Sequence, residues 1–170
     1  MNSKYLFIAA VAALGISSGA MAQEKKNEVS LYGDISSTKT GSSKSDMTTI
    51  QVGYGVYLTP NWVAKVNYLL TDSSGAASST YSDVGIGARY YFKVGKTGDV
   101  VPFAGAALNL IAVSSAGFSS TGTGTSLEGG VAIFVSESAS IDLKIFSESS
   151  TINGTSSTRS GLNVGTTYRF

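Results

Sequence analysis

The side chains available for chemistry are carboxylates and cations, because the chain of 170 residues contains no histidine and no cysteine. Without imidazole the usual Ser-His-Asp proton relay cannot be built. Without imidazole or thiolate the common zinc ligand sets are missing too, and so are disulfides and a lipid anchor on an N-terminal cysteine. Eight charged residues recur in stretches of alternating polarity: Asp34, Lys65, Asp83, Arg89, Glu128, Asp142, Lys144 and Arg169. Paired Asp and Glu can act as general acid and base, as in glycoside hydrolysis. The same residues are four acids and four bases, and mutual neutralisation is what charges need if they are to be buried together. The glycine pairs in Gly53-Tyr54-Gly55 and Gly85-Ile86-Gly87 open no helix, so they are not phosphate loops. Asn153-Gly154-Thr155 matches a glycosylation sequon but reads as loop composition. The structural reading of the charges is favoured, and no catalytic, cofactor-binding or metal-binding residue is expected.

The elements that carry these charges decide between the two uses. Alternation with a period of two predicts eight strands, at about Asn27–Ser36, Met47–Leu58, Trp62–Thr71, Thr80–Lys93, Val100–Val113, Thr125–Val135, Ser140–Ser149 and Gly161–Phe170. Strand seven, for example, sets Ile141, Leu143 and Ile145 against Asp142, Lys144 and Glu148. In every strand but the fifth the faces can be assigned, and no Lys, Arg, Asp or Glu falls on the apolar face. On a lipid-facing surface one such cation at the midplane would cost roughly 2–4 kcal/mol. Strand five is small and apolar on both faces around Ala104-Gly105-Ala106-Ala107, which leaves its register open. Strands of roughly ten residues are long enough to cross a bilayer at a tilt.

The connections after strands one, three, five and seven are the Ser/Thr-rich stretches around Ser37–Asp46, Asp72–Ser79, residues 114–124 and Ser150–Thr158. They are longer than the other turns, as expected for outer loops and periplasmic turns. Trp62, Tyr90, Phe92, Tyr168 and Phe170 gather on the turn side as one aromatic girdle. A strand pairing centred near Gly154 brings Asp142 nearly level with Arg169, so a direct ion pair is expected there.

Both ends of the chain agree with this reading. Residues 1–22 carry Lys4, an apolar run from Tyr5 to Ile16 and the sequence Ala20-Met21-Ala22, the pattern of a cleaved signal peptide. The apolar run is too short for a spanning helix, which needs about 20 residues. Cleavage after Ala22 leaves residues 23–170 as one domain, with 11 basic residues against 11 acidic ones. A neutral chain gives no reason to expect nucleic acid as a partner. The last residues, Gly161 to Phe170, alternate strictly and end on an aromatic residue. An apolar strand in that position must pair on both sides or lie against lipid, and a closed membrane barrel does both.

The terminal Tyr168-Arg169-Phe170, the glycine pairs and Gly129-Gly130 resemble the small outer-membrane β-barrels of Gram-negative bacteria, of OmpX and OmpA-barrel type. The fold class expected is all-β: an eight-stranded antiparallel up-and-down transmembrane β-barrel. The resemblance implies a bacterial outer-membrane location with outer-membrane lipid around a monomer. It also implies that Tyr168 and Phe170 form the signal read by the barrel-assembly machinery. Since nothing follows Phe170, no periplasmic peptidoglycan-binding domain of the OmpA kind is expected. The function implied is non-enzymatic: structural, or an adhesion-like surface interaction with an extracellular ligand through the Ser/Thr/Gly-rich loops. The alternative is a narrow porin-like channel for small or apolar solutes. A soluble lipocalin-type barrel is disfavoured by the terminal Phe, the girdle and the balanced charges.

Overall fold

Alternating apolar and polar residues give every strand one face for lipid and one for the interior, and the only way to pair both edges of all strands is to close the sheet on itself. The computed structural model describes residues 25–40, 43–74, 79–115 and 118–170. The expected signal peptide lies outside them. Eight antiparallel strands form a closed barrel in sequence order: β1 Asn27–Thr40, β2 Ser43–Tyr57, β3 Trp62–Ser74, β4 Ser79–Tyr91, β5 Val100–Ser115, β6 Phe118–Phe134, β7 Ala139–Ile152 and β8 Thr155–Arg169. β8 closes on β1 through the ladder from Glu28↔Arg169 to Gly33↔Val164. The Phe170 carbonyl accepts bonds from the Lys26 and Asn27 amides at 3.1 and 2.9 Å, so both described ends meet on one rim.

The ladders fix the register of β5. Val101, Phe103, Asn109 and Ile111 are buried inside, while Val100, Leu108 and Leu110 face outward. The outward face is apolar all round the barrel, with Val52, Val66, Ile86, Leu108, Ile145 and Val164 among its exposed side chains. Trp62 and Tyr90 face each other in register with rings 5.0 Å apart, Tyr90 meets Phe92 at 5.3 Å, and Tyr168 stacks on Phe170 at 6.1 Å. All lie on the rim that carries the termini.

The expected long outer loops are instead mostly strand. Only residues 41–42, 75–78, 116–117 and 153–154 separate the strands at that end, whereas the opposite rim has the connections 58–61, 92–99 and 135–138. The Ser/Thr stretches extend the ladders because their backbone groups find partners most readily in the neighbouring strand, and Thr suits a strand. The strands reach 13 to 17 residues, beyond the roughly ten that cross a bilayer, and the surplus stands above the apolar band. The connection Asn153-Gly154 has φ of 49° and 79°, the positive angles a two-residue type I′ hairpin requires. Gly154→Ala is expected to cost about 1–2 kcal/mol, read as a lower urea midpoint for unfolding in detergent micelles.

Candidate functional site

Inside the barrel, the end that carries Lys26 and Phe170 is filled by an apolar and aromatic plug. Val63, Tyr91, Val101, Phe103, Ala132 and Phe134 pack there, with Tyr57 against them. Above it lies a layer of charges on which Arg89, 1% exposed, is central. Its Nε donates to Glu128 Oε1 at 2.6 Å and its Nη1 to the hydroxyl of Tyr32 at 2.8 Å and of Tyr91 at 3.3 Å. Each phenol passes the bond on. Tyr32 donates to Asp142 Oδ2 at 2.7 Å, and Tyr91 donates to Glu28 Oε2 at 3.1 Å. Thr167 and Ser140 each donate to Asp142 at 2.7 Å, which completes the shell of a carboxylate with no exposure.

The lysines close the layer. Lys65 Nζ lies 3.2 Å from Glu28 Oε1, and Lys144 Nζ lies 3.4 Å from Glu128 Oε2 while donating to Gln51 at 2.6 Å. Arg169 reaches Glu28 at 3.9 Å, and its guanidinium stands over the Phe134 ring at 4.2 Å. Glycines make the room. A Cβ at Gly53 would fall 2.5 Å from both Asn67 Oδ1 and Ser30 Oγ, and one at Gly55 2.8 Å from Glu28 Cγ.

Nearer the outer end a second group forms around Arg159. Its Nη2 lies 3.5 Å from Glu148 Oε2, its Nη1 donates to Thr71 at 3.1 Å, and Tyr81 also donates to Glu148. Asp83 is buried in the same region, at 5% exposure. Between the two groups is a chamber that offers ≈ 50 Å³ to the centres of water-sized molecules.

All eight charges singled out from the sequence thus lie on inward faces, in two groups: Lys65, Arg89, Glu128, Asp142, Lys144 and Arg169 below, and Asp83 and Asp34 above. Asp34 is half-buried opposite Thr49, and the ion pairs among the described residues do not include it. The expected Asp142–Arg169 pair does not form. The turn is centred on Asn153-Gly154, so Asp142 faces Gly165 and Arg169 lies beyond the start of β7, opposite Glu28 of β1. A level Asp142–Arg169 pair needs a centre about two residues further along, and the opposite position shifts by twice that displacement, from Arg169 to Gly165. Asp142 is met by Arg89 at 3.7 Å instead.

A family model described as the outer membrane protein beta-barrel domain matches residues 8–170. The chain belongs to this family. Its place is the bacterial outer membrane, and the exposed apolar belt is its lipid-facing surface. Neisserial surface protein A is similar in structure at 20% identity, with a TM-score of 0.66 over 85% of this chain and 97% of its own. The N-terminal barrel domain of Pseudomonas aeruginosa OprF is similar at 13% identity, TM-score 0.58, over 86% and 98% of the two chains. Ail of Yersinia pestis is similar at 16% identity, TM-score 0.52, over 87% and 100%. At such identities the likeness is one of fold. No curated protein sequence matches the chain.

Apart from the half-buried Asp34, the interior charges of this outer-membrane barrel balance. Lys65, Arg89, Lys144, Arg159 and Arg169 stand against Glu28, Asp83, Glu128, Asp142 and Glu148, and among the described residues no group of three or more Asp or Glu is placed to hold a metal. Sequence reasoning missed Glu28, Arg159, the two bridging phenols Tyr32 and Tyr91, and Tyr57, which donates to Glu28 at 2.8 Å. The parity of β1 was the signal for Glu28, since it shares the face of Ser30 and Tyr32. Arg159 falls between the Ser150–Thr158 connection and the strand expected from Gly161, and so had no face assigned.

Proposed function

We propose that this outer-membrane barrel is a non-enzymatic surface protein whose closed interior makes it rigid and whose outer rim makes its contacts. The observation that carries this reading is the sheet that rises above the apolar band on β6, β7 and β8. There the register lines up Thr123, Thr151 and Ser156 in one row and Thr125, Ser149 and Thr158 in the next, all exposed. One row further down, past Leu127, Ser147 and Ser160, Ile145 and Leu162 belong to the lipid-facing surface. An uncharged lattice of hydroxyls held by backbone ladders presents fixed hydrogen-bonding positions without the ordering cost that a loose loop would bear. Ail carries attachment and invasion in its name on the same fold, which is in keeping with a surface role. Binding to host-cell surfaces should fall when bacteria expressing the barrel lose the outer halves of β6–β8. Equal binding by the shortened and full barrels would remove this reading.

The channel alternative meets an obstruction in the Arg89 layer and the aromatic plug beneath it, since side chains fill a barrel of this strand number. Planar-bilayer recordings from the purified protein are expected to show no steady unitary current. A reproducible conductance would put the channel reading first.

Assembly is proposed to depend on the terminal aromatic residues. Phe170 is half-exposed on the lipid side, and its side chain meets only the neighbouring face of Tyr168 among the ring contacts. Deleting Phe170 should therefore reduce the amount of folded barrel in cells while leaving refolding in detergent intact. Unchanged cellular assembly would count against a recognition role.

A further inference from the structure

The chamber between the two charge groups has unused hydrogen-bonding capacity of both kinds on its wall. Asp83 Oδ1 is buried and has no donor among the described residues, although it is a carboxylate oxygen. Across the chamber, Arg159 Nε and Nη2 are buried and have no acceptor, Nη2 lying 3.5 Å from Glu148 without a hydrogen bond. Both residues line the chamber. A buried polar atom without a partner costs free energy, the more so when charged.

The wall beside Asp83 is built from an acceptor and a bare backbone. Asn109 is 5% exposed, and its Oδ1 sits 2.8 Å from where a Cβ of Gly85 would be. Gly85 and Asn109 are direct neighbours across the β4–β5 ladder, and Asp83 is the next inward residue of β4. The chamber therefore presents two acceptors facing a guanidinium edge: Asp83 Oδ1, and Asn109 Oδ1, which accepts from Ser126 Oγ at 3.5 Å and keeps a second lone pair. Its floor is closed by Lys65, Glu128 and Lys144, which are engaged with each other and with Glu28 and Gln51. Its outer side is less tightly shut. The β1–β8 ladder ends at Gly33 and Val164, and the side chain of Arg159 keeps 28% exposure.

We propose that this chamber is a binding site for a small zwitterionic solute, with an ammonium and a carboxylate separated by one or two carbons. The ammonium donates to Asp83 Oδ1 and Asn109 Oδ1. The carboxylate accepts from Arg159 Nε and Nη2. The size fits: at about 10–15 Å³ for each water centre, the ≈ 50 Å³ on offer corresponds to a few water molecules, the bulk of glycine. The floor makes the chamber blind, so a solute enters and leaves from the outer side. The proposal stands apart from the surface role argued above.

Glycine is the probe, titrated into the uniformly 15N-labelled full barrel in detergent micelles and followed by backbone amide shifts. Saturable shifts at Asp83, Gly85 and Arg159 are expected, with ammonium chloride and sodium acetate at matched ionic strength giving none. Asp83→Asn and Arg159→Gln should each weaken the apparent affinity at least tenfold. Arg159 lies toward the outer end, so its variant serves if the Asp83 variant fails to migrate as a folded barrel. Shifts that grow linearly, shifts reproduced by either single ion, or shifts unchanged in a folded variant would overturn the proposal and leave water as the solute of this chamber.

Discussion

Replacing Arg89 with methionine is expected to lower the stability of the folded barrel by about 3–5 kcal/mol, the range for removing one member of a buried charge group. The guanidinium is joined to Glu128 directly and to Asp142 and Glu28 through the phenols of Tyr32 and Tyr91. Methionine fills much of the volume over the Phe103 ring, which the guanidinium now covers at 4.2 Å, but it takes from Glu128 its partner at 2.6 Å and from the fully buried Asp142 the cation that meets it at 3.7 Å. The double variant Arg89→Met with Glu128→Gln removes one charge of each sign and should be less destabilised than the single one. Urea unfolding in micelles gives both values. A single variant as stable as the unaltered protein would mean that the layer is solvated and not held by Arg89.

The second large effect concerns neighbouring glycines with opposite expectations. Gly130 faces inward, where a Cβ would meet the Leu143 carbonyl oxygen at 2.2 Å and Phe103 Cζ at 2.8 Å. Gly129 faces lipid, and the nearest atom to a Cβ there is the Phe103 carbonyl oxygen at 3.9 Å. Gly130→Val should force the β6–β7 ladder apart and cost about 3 kcal/mol or more, the upper part of the range for overpacking. Gly129→Val adds apolar surface toward lipid and should be nearly neutral. The fraction resisting SDS before heating, compared for the two variants, checks the contrast. Equal behaviour would show that the inward-facing space is not limiting.

The fold was legible because lipid on one side and a narrow interior on the other impose one alternation on the whole chain, and a misplaced charge is costly. Thus the inward position of Lys65, Arg89 and Lys144 follows from parity alone. Parity carries no information about height along the barrel, which is why Asp142 and Arg169 were paired across a turn that sets them apart. It also fails where both faces are small. At β5 the inward Gly105 and Ala107 and the outward Ala104 and Ala106 look alike, and only Phe103 and Asn109 distinguish the sides once the ladders are known. The outer halves of the strands were hidden for a different reason. Ser and Thr satisfy turns and ladders equally well, so the stretch leading to Arg159 read as a loop until the partner of Arg159, Glu148 in β7, was in place. The chamber depends on side chains from several strands and was not visible in any single stretch.

The chain has a single tryptophan, and Trp62 stands half-exposed on the aromatic rim against Tyr90. Its indole is therefore an optical depth gauge fixed at one interface of the bilayer. Lipids brominated at successive carbons of the acyl chain should quench its emission most strongly when the bromine sits near the headgroup, and weakly at mid-chain. Because Trp62 opens β3 opposite Tyr90 of β4, the moment this quenching pattern appears during refolding into vesicles marks the arrival of the β3–β4 pair at its interface. Insertion of that part of the sheet could then be timed in one emission trace, with no added label.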